Sequence, residues 1–223
     1  MQQPAACLFD LDGLLLDTEP LHAEAWQRAA SRFGRPLSPA ELLRLRGRRR
    51  LDCADQVLGW IRSAGGTAPS REELLAVRQP IAEALLVQAR PMPGAPELVA
   101  RCQALNLPMA LATSSSRSAV ELKASPHPWL EPIQVRVHGD DPLLRQGKPA
   151  PDVFLLAAER LGTAAVDCWA FEDSPAGVQA ARAAGCTVYV LPPEHLDAAE
   201  RQRAYPGVER FLGSLLEVVQ QLG

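Results

Sequence analysis

The sequence predicts an α/β fold in which a doubly wound parallel sheet carries an inserted α-helical domain. Short apolar runs of strand length alternate with helical stretches over most of the chain, which is typical of parallel strands joined by right-handed helical crossovers. The alternation stops once, over residues 17–91, where only helical spacing occurs. A chain of 223 residues is long enough for a core domain with such an insert.

The first apolar run, residues 5–9, has the length and polarity of a strand that is buried on both faces. It is followed by Asp10 and Asp12, whose side chains share one face of an extended chain. Open α/β sheets bind ligands at the carboxyl ends of their strands, so this pair of acids predicts a reactive centre. The alternative is that both acids only cap the following turn or helix.

Helical stretches without an intervening strand follow the two acids. Helices are predicted over residues 18–33, 39–45, 51–64 and 70 to about 90. Ser70 and Glu73 have the spacing of a capping box at the start of the last helix. We therefore predict a helical cap domain over residues 17–91, inserted into a core domain formed by residues 1–16 and 92–223.

Helices and strands alternate in the remainder of the chain. Strands are predicted over residues 109–112, 134–137, 168–171 and 187–191, and helices over 95–105, 116–123, 151–161, 176–184 and 208–222. This order of elements is that of a parallel sheet with helices on both faces.

Polar side chains follow two of these later strands. Thr113 and Ser114 belong to a hydroxyl cluster that opens a helix, a setting in which anions bind, although any one of these serines alternatively serves as a plain helix cap. Glu172 and Asp173 follow the strand over residues 168–171 and offer the hard oxygen ligands that Mg²⁺ prefers. Capping of the next helix by Asp173 or Ser174 is the alternative, but capping does not explain Glu172 as well.

Lys148 lies in a rigid segment between a glycine and a proline. Of the 23 Lys and Arg residues, only Lys123 and Lys148 are lysines, so the chain uses arginine for nearly all of its positive charge. A lysine held in such a loop indicates a site that needs a compact ammonium rather than a planar guanidinium. The alternative is a solvated loop lysine.

The composition excludes several classes of partner. A formal net charge of -3 gives no basic field for nucleic acid, and no apolar run is long enough to span a membrane. The five cysteines are scattered and lack C-x-x-C spacing, which is typical of reduced core thiols in a cytoplasmic protein. We expect a protein that acts on small molecules, as a monomer or a homodimer.

Four motifs of this sequence resemble, in the same order, those of the haloacid dehalogenase superfamily of phosphotransferases. They are Asp10-x-Asp12-Gly13, Thr113, Lys148 and Glu172-Asp173. The resemblance covers the whole predicted core, which would be Rossmann-like. The helical insert is similar to the small cap of the subgroup that contains phosphoglycolate phosphatases, β-phosphoglucomutase and sugar phosphatases. Within this subgroup, residues 13–19, 110–115, 139–142 and 147–154 look like the pseudouridine 5'-phosphatase branch.

The resemblance implies an Mg²⁺-dependent phosphomonoester hydrolase that acts on a small phosphorylated metabolite, such as a nucleoside or sugar monophosphate. Asp10 would be the nucleophile that forms an aspartyl-phosphate, and Asp12 would protonate the leaving alcohol and then activate water. By the same resemblance, Asp10, the Asp12 carbonyl and Asp173 would bind the metal, and Glu172 would orient a metal-bound water. The phosphoryl oxygens would be held by Thr113, Ser114 and Lys148.

The cap is expected to close over the site and to select the substrate. His22 corresponds by its spacing from Asp10 to a histidine of β-phosphoglucomutase, and Arg48, Arg49 and Arg50 lie where related enzymes place a substrate-reading loop. The alternatives are a surface or hinge histidine and a solvated basic stretch at the end of a helix.

Two other functions stay open at this point. The first is a phosphosugar mutase of the β-phosphoglucomutase type, although that enzyme uses a cap lysine and no lysine lies between Asp17 and Arg90. The second is a metabolite-binding protein that keeps the fold without catalysis.

Overall fold

The computed structural model describes residues 3–46, 48–65, 67–194, 196–208 and 210–222. In that part of the chain, five parallel strands form one sheet in the order β3-β2-β1-β4-β5. The strands are β1 (Ala6–Phe9), β2 (Met109–Ala112), β3 (Val135–Val137), β4 (Cys168–Glu172) and β5 (Thr187–Val190). The predicted doubly wound α/β fold is confirmed.

Strand β1 occupies the centre of the sheet, where it pairs with β2 on one side and β4 on the other. Cys7 and Phe9 pack into the apolar cluster on one face of the sheet, and Ala6 and Leu8 pack into the cluster on the opposite face. All four side chains are fully buried, as the unbroken apolar run predicts. The carboxyl end of β1 therefore lies in the middle of one edge of the sheet.

Ten α-helices surround the sheet or belong to the insert in the described ranges. Those of the insert are α1 (Glu19–Arg32), α2 (Pro39–Leu45), α3 (Arg50–Ser63) and α4 (Arg71–Leu86). The others are α5 (Ala95–Ala104), α6 (Arg117–Ala124), α7 (Asp152–Arg160), α8 (Pro175–Ala183), α9 (Ala198–Ala204) and α10 (Leu216–Gln221). Across the same ranges, none of the helices combines the length and the apolarity needed to cross a membrane.

The insert has an apolar centre of its own, which includes Trp26, Val57 and Leu74. The predicted capping box is present at the start of α4, where the Ser70 and Glu73 side chains each accept a hydrogen bond from the other residue's N–H, at 3.1 and 2.7 Å. The division into a core over 1–16 and 92–223 and a cap over 17–91 stays a prediction.

The two chain connections between the insert and the sheet run side by side. The Asp17 N–H donates to the Arg90 carbonyl at 2.8 Å, and the Met92 N–H donates to the Leu15 carbonyl at 2.9 Å. These bonds tie the entry and exit of the insert together directly after the Asp10 and Asp12 segment.

Near the carboxyl terminus, one predicted helix is wrong and another helix was not predicted. Of the helix predicted over 208–222, the described residues are helical only over α10, because residues 210–212 pair with the end of β5 instead. The Val190 N–H donates to the Arg210 carbonyl at 2.9 Å, and the Leu212 N–H donates to the Val190 carbonyl at 2.7 Å. The short helix α9 was not predicted, although Asp197 and Glu200 form a capping box at its start.

The five cysteines are free and buried, as predicted for core thiols. Burial raises the pKa of both Cys53 and Cys186 to about 12, which disfavours the reactive thiolate. We expect less than one thiol to react with Ellman's reagent in the native protein, and all five after unfolding in guanidinium chloride. The unfolded sample is the control for reagent access, and rapid reaction of a thiol in the native protein would contradict the buried arrangement.

Candidate active site

The carboxyl ends of the strands bring three of the predicted residues together. Asp10 follows β1, Glu172 ends β4, and Lys148 reaches them from the loop that precedes α7. Lys148 Nζ lies 2.5 Å from Asp10 Oδ1 and 2.5 Å from Glu172 Oε1, and none of the three residues is more than 5% exposed. Lys148 is therefore not a solvated loop lysine but the buried link between two carboxylates.

Negative charge is in excess around this lysine. Burial raises the pKa of Asp10 well above its usual range, and the neighbouring Glu172 and Asp173 act in the same direction against the Lys148 charge. The pKa of Lys148 is raised because the attraction of Asp10 and Glu172 outweighs its burial. Such a site stabilises a further cation.

The side chains of Asp10, Glu172 and Asp173 fit a metal ion. Each offers one carboxylate oxygen, and these atoms lie within 4.8 Å of one another. Asp173 Oδ1 is buried and has no hydrogen-bond partner among the described residues, as expected of an atom that is free to bind an ion. Carboxylate oxygens are the ligands that Mg²⁺ prefers. The Asp12 side chain lies outside this cluster, so its predicted contribution through the carbonyl stays a prediction.

Asp12 has a separate set of partners. Its Oδ1 accepts hydrogen bonds from Thr18 Oγ1 at 2.7 Å, Lys123 Nζ at 2.5 Å and His22 Nε2 at 3.2 Å. Its Oδ2 accepts from Ser115 Oγ at 2.7 Å and Lys123 Nζ at 2.5 Å. Burial acts to raise the pKa of Asp12, but the Lys123 charge and the His22 hydrogen bond outweigh it and hold the pKa well below its usual range.

Sequence reasoning missed several residues at this site, and Lys123 carried a signal that could have identified it. It shares with Lys148 the distinction of being one of only two lysines, and both are buried against a site carboxylate. Ser115 belongs to the predicted hydroxyl cluster but was not singled out within it. Thr18 and Arg46 carried no comparable signal, because their roles depend on contacts with residues that are distant in sequence or on side-chain direction.

Glu172 is positioned by the start of α8. Its Oε2 accepts from the Asp173 and Ser174 N–H groups at 3.1 and 3.3 Å and from Ser174 Oγ at 3.1 Å. Ser174 Oγ in turn accepts from the Gly177 N–H at 3.1 Å, so the residue that caps α8 is Ser174. Asp173 does not cap the helix; its carboxylate accepts from Arg46 Nη2 at 2.7 Å.

A cavity of about 620 Å³ opens between the strand ends and the insert. The predicted residues that line it are Asp10, Asp12, Thr113 and Ser114 from the core and His22, Arg48, Arg49 and Arg50 from the insert. Thr113 is almost fully buried, and its Oγ1 accepts from the Ser115 N–H at 3.1 Å. The structure thus places both predicted catalytic acids, the two predicted phosphate-binding hydroxyls and the predicted cap residues around one space, whereas Lys148 lies behind Asp10 and does not belong to the lining.

Buried guanidinium groups form part of the cavity wall. Arg49 Nε and Nη2 are buried without a hydrogen-bond partner in the described part of the chain, and the same holds for Arg78 Nε. The Arg78 guanidinium stacks over Trp26 at 4.7 Å, and its Nη2 lies 2.9 Å from His22 Nδ1. Burial lowers the pKa of Arg78 to about 10. Arg48 and Arg50 are exposed, and Arg50 donates to Gln79 at 2.7 Å.

The sequence model of the haloacid dehalogenase-like hydrolases matches residues 4–185. The chain belongs to this family. The match contains both acids after β1, the segment after β2, Lys148 and the Glu172-Asp173 pair, so the family predicted from these motifs is confirmed.

Similar haloacid dehalogenase-like proteins include named phosphatases. The chain is 34% identical over 202 residues to (DL)-glycerol-3-phosphatase 2 of Arabidopsis thaliana, covering 88% of this chain and 83% of that protein. It is 36% identical over 210 residues to the "probable pseudouridine-5'-phosphatase" of Drosophila melanogaster, covering 89% and 86%. A crystal structure of a CbbY variant from Rhodobacter sphaeroides with xylulose-(1,5)-bisphosphate has a TM-score of 0.79 at 26% identity, covering 96% of each chain.

Substitution of Gly177 tests the Glu172 position. A Cβ atom at residue 177 would collide with the Glu172 carboxylate. We expect Gly177→Ala to displace that carboxylate from Lys148 and to lower kcat/KM about a hundredfold, the effect of a small misplacement in an active site. Gly59→Ala in α3 is the control, because its Cβ would meet no atom within 4 Å. Equal activity of the two variants in a phosphate-release assay would show that the Glu172 position is unimportant.

Proposed function

We propose that the protein is an Mg²⁺-dependent phosphomonoester hydrolase that acts on a small phosphorylated metabolite through an aspartyl-phosphate intermediate. The observation that carries the proposal is the buried Asp10 carboxylate at the end of the central strand, held by Lys148 beside Glu172 and Asp173. The named phosphatases among the relatives support the same reaction.

Asp10 is the proposed nucleophile. Its carboxylate attacks phosphorus and the ester P–O bond breaks, while Asp12 gives a proton to the leaving oxygen. Water then attacks the aspartyl-phosphate, Asp12 takes a proton from that water, and the Asp10–phosphorus bond breaks to release inorganic phosphate. Lys148, Thr113 and Ser114 hold the phosphoryl oxygens during both steps.

Asp10, Asp173 and the Asp12 carbonyl would hold the metal, and Glu172 would orient a water beside it. The chemistry that Mg²⁺ supplies when bound there is positive charge, which offsets the repulsion between the nucleophile and the phosphate dianion. That repulsion is about 8 kcal/mol for a carboxylate and a dianion about 4 Å apart at a dielectric constant of about 20. Lys148 offsets part of it from the protein side.

The cap residues are proposed to contact the leaving group. His22, Arg48, Arg49 and Arg50 line the same cavity as Asp10, and its volume of about 620 Å³ suits the alcohol part of a nucleoside or sugar monophosphate. Arg49 has the buried, unpartnered N–H groups that favour an anionic or hydroxyl-rich ligand. The chain has no lysine between Asp17 and Arg90, which supports hydrolysis over a mutase that uses a cap lysine.

The nucleophile is tested by Asp10→Asn. We expect this variant to release no phosphate while melting at the temperature of the wild type or above, since removal of one buried charge relieves crowding with Glu172 and Asp173. Activity of the wild type is expected to vanish in EDTA and to return with Mg²⁺. The assay uses pseudouridine 5'-monophosphate, glycerol 3-phosphate and fructose 1-phosphate. Asp167→Asn, at an exposed acid before β4, is the matched control, and full activity of Asp10→Asn would refute the mechanism.

The cap is tested by Arg49→Met. Loss of charge-assisted hydrogen bonds to the leaving group is expected to lower kcat/KM for the best metabolite about ten- to a hundredfold, mainly through KM. Activity on p-nitrophenyl phosphate, whose leaving group lacks hydroxyls, should change less. Arg62→Met, an exposed arginine of α3, is the control. Equal KM values for Arg49→Met and the wild type would remove Arg49 from the substrate contacts.

A further inference from the structure

Lys123 is a fully buried lysine that the proposed reaction does not use. It extends from α6 toward the site, and its Nζ donates to both carboxylate oxygens of Asp12 at 2.5 Å and to Ser115 Oγ at 2.8 Å. It does not belong to the cavity lining, whereas its helix neighbours Ala119 and Leu122 do. Lys123 therefore reaches Asp12 from the side of α6 rather than from the cavity.

The contact of Lys123 with both oxygens restricts the Asp12 side chain in a way that single hydrogen bonds do not. Thr18 and His22 each reach only Oδ1, and Ser115 reaches only Oδ2. A donor shared by both oxygens resists rotation of the carboxylate, and Ser115 supports it by bonding to the lysine as well. Because a buried ammonium without a partner is costly, Lys123 and Asp12 depend on each other for their positions.

The two lysines bind different carboxylates of the site. Lys148 bonds to Asp10 and Glu172, and Lys123 bonds to Asp12. Catalysis by a proton donor or acceptor requires that its oxygen lie within hydrogen-bonding reach of the reacting atom. The residue that fixes the Asp12 oxygens therefore controls the steps in which Asp12 moves a proton.

We propose that Lys123 is the positioning residue for Asp12, fixing its carboxylate from the core side, together with Ser115, for both proton transfers of the reaction. The proposal rests on the phosphomonoesterase function above. Lys123 keeps its own protons throughout: the proton given to the leaving oxygen comes from Asp12, and the proton taken from water goes to Asp12.

The test uses Lys123→Met, which keeps the length and burial of the side chain but removes the ammonium. With p-nitrophenyl phosphate the first step needs no proton, because p-nitrophenolate leaves as an anion. We expect kcat/KM for this substrate, which reports formation of the aspartyl-phosphate, to stay within about twofold of the wild type. We expect kcat and KM to fall together by about tenfold or more, with a burst of p-nitrophenolate, because hydrolysis of the intermediate needs Asp12.

An alkyl phosphate supplies the second readout. Its alkoxide leaving group needs a proton, so kcat/KM of Lys123→Met for glycerol 3-phosphate should fall by about tenfold or more. A merely structural role of Lys123 would lower kcat/KM for both substrates equally, and that result, or unchanged kinetics, would overturn the proposal. Val120→Ala, a buried neighbour in α6 that packs in the core, is the control and should lower the melting temperature without separating the two substrates.

A second variant covers the case in which Lys123→Met does not fold. Ser115→Ala removes the hydroxyl that joins Lys123 to Asp12 and leaves the lysine in place, and it should produce the same difference between the two substrates on a smaller scale. An equal effect on both substrates would overturn the proposal in this variant too. Failure of the phosphatase function would look different, since the wild type itself would then release no phosphate from either substrate.

Discussion

The structure depends on the burial of several carboxylates at one edge of a parallel sheet. Asp10, Glu172 and Asp173 crowd within 4.8 Å in a place where the strand ends exclude water. Buried charges without partners cost several kcal/mol each, so the surrounding chain has to provide cations. Lys148 and Arg46 do so from two directions, one from a core loop and one from the insert. The cluster keeps an excess of negative charge even with these partners, which explains why a divalent cation suits it.

The two acids after β1 share one face of the chain, but their side chains bind different partners. Burial and neighbouring carboxylates raise the pKa of Asp10, whereas Lys123 and His22 hold the pKa of Asp12 down. The Asp12 charge is thus balanced by Lys123, whereas the Asp10 charge leaves room for a further cation beside Lys148. Gly13, with a positive φ of 86°, lets the chain turn between them and the insert, and a side chain there would meet the Asp173 carboxylate.

The sequence was sufficient to predict the sheet, the family and the core of the site, because strand-length apolar runs ending in polar residues mark the edge where parallel strands deliver ligands. It was insufficient for contacts that depend on how helices pack: Lys123 lies on a helix of ordinary composition, and its approach to Asp12 is set by the docking of α6. The helix predicted over 208–222 failed for a related reason. Val208, Leu212 and Leu215 have helical spacing, but residues 210–212 instead pair with the end of β5, which periodicity does not register.

Near the candidate active site, the insert contacts the core through charged side chains. Arg46, just after α2, donates to the Asp173 carboxylate through Nε and Nη2 and lies 3.7 Å from Glu19, while His22 at the start of the insert bonds to Asp12. The insert therefore rests on the same carboxylates that serve the proposed metal site and the proposed proton transfers. A cation bound through Asp173 Oδ1 would share the charge of this carboxylate with Arg46, which bonds to Oδ2. The position of the cap and the charge of the site are consequently linked through Asp173.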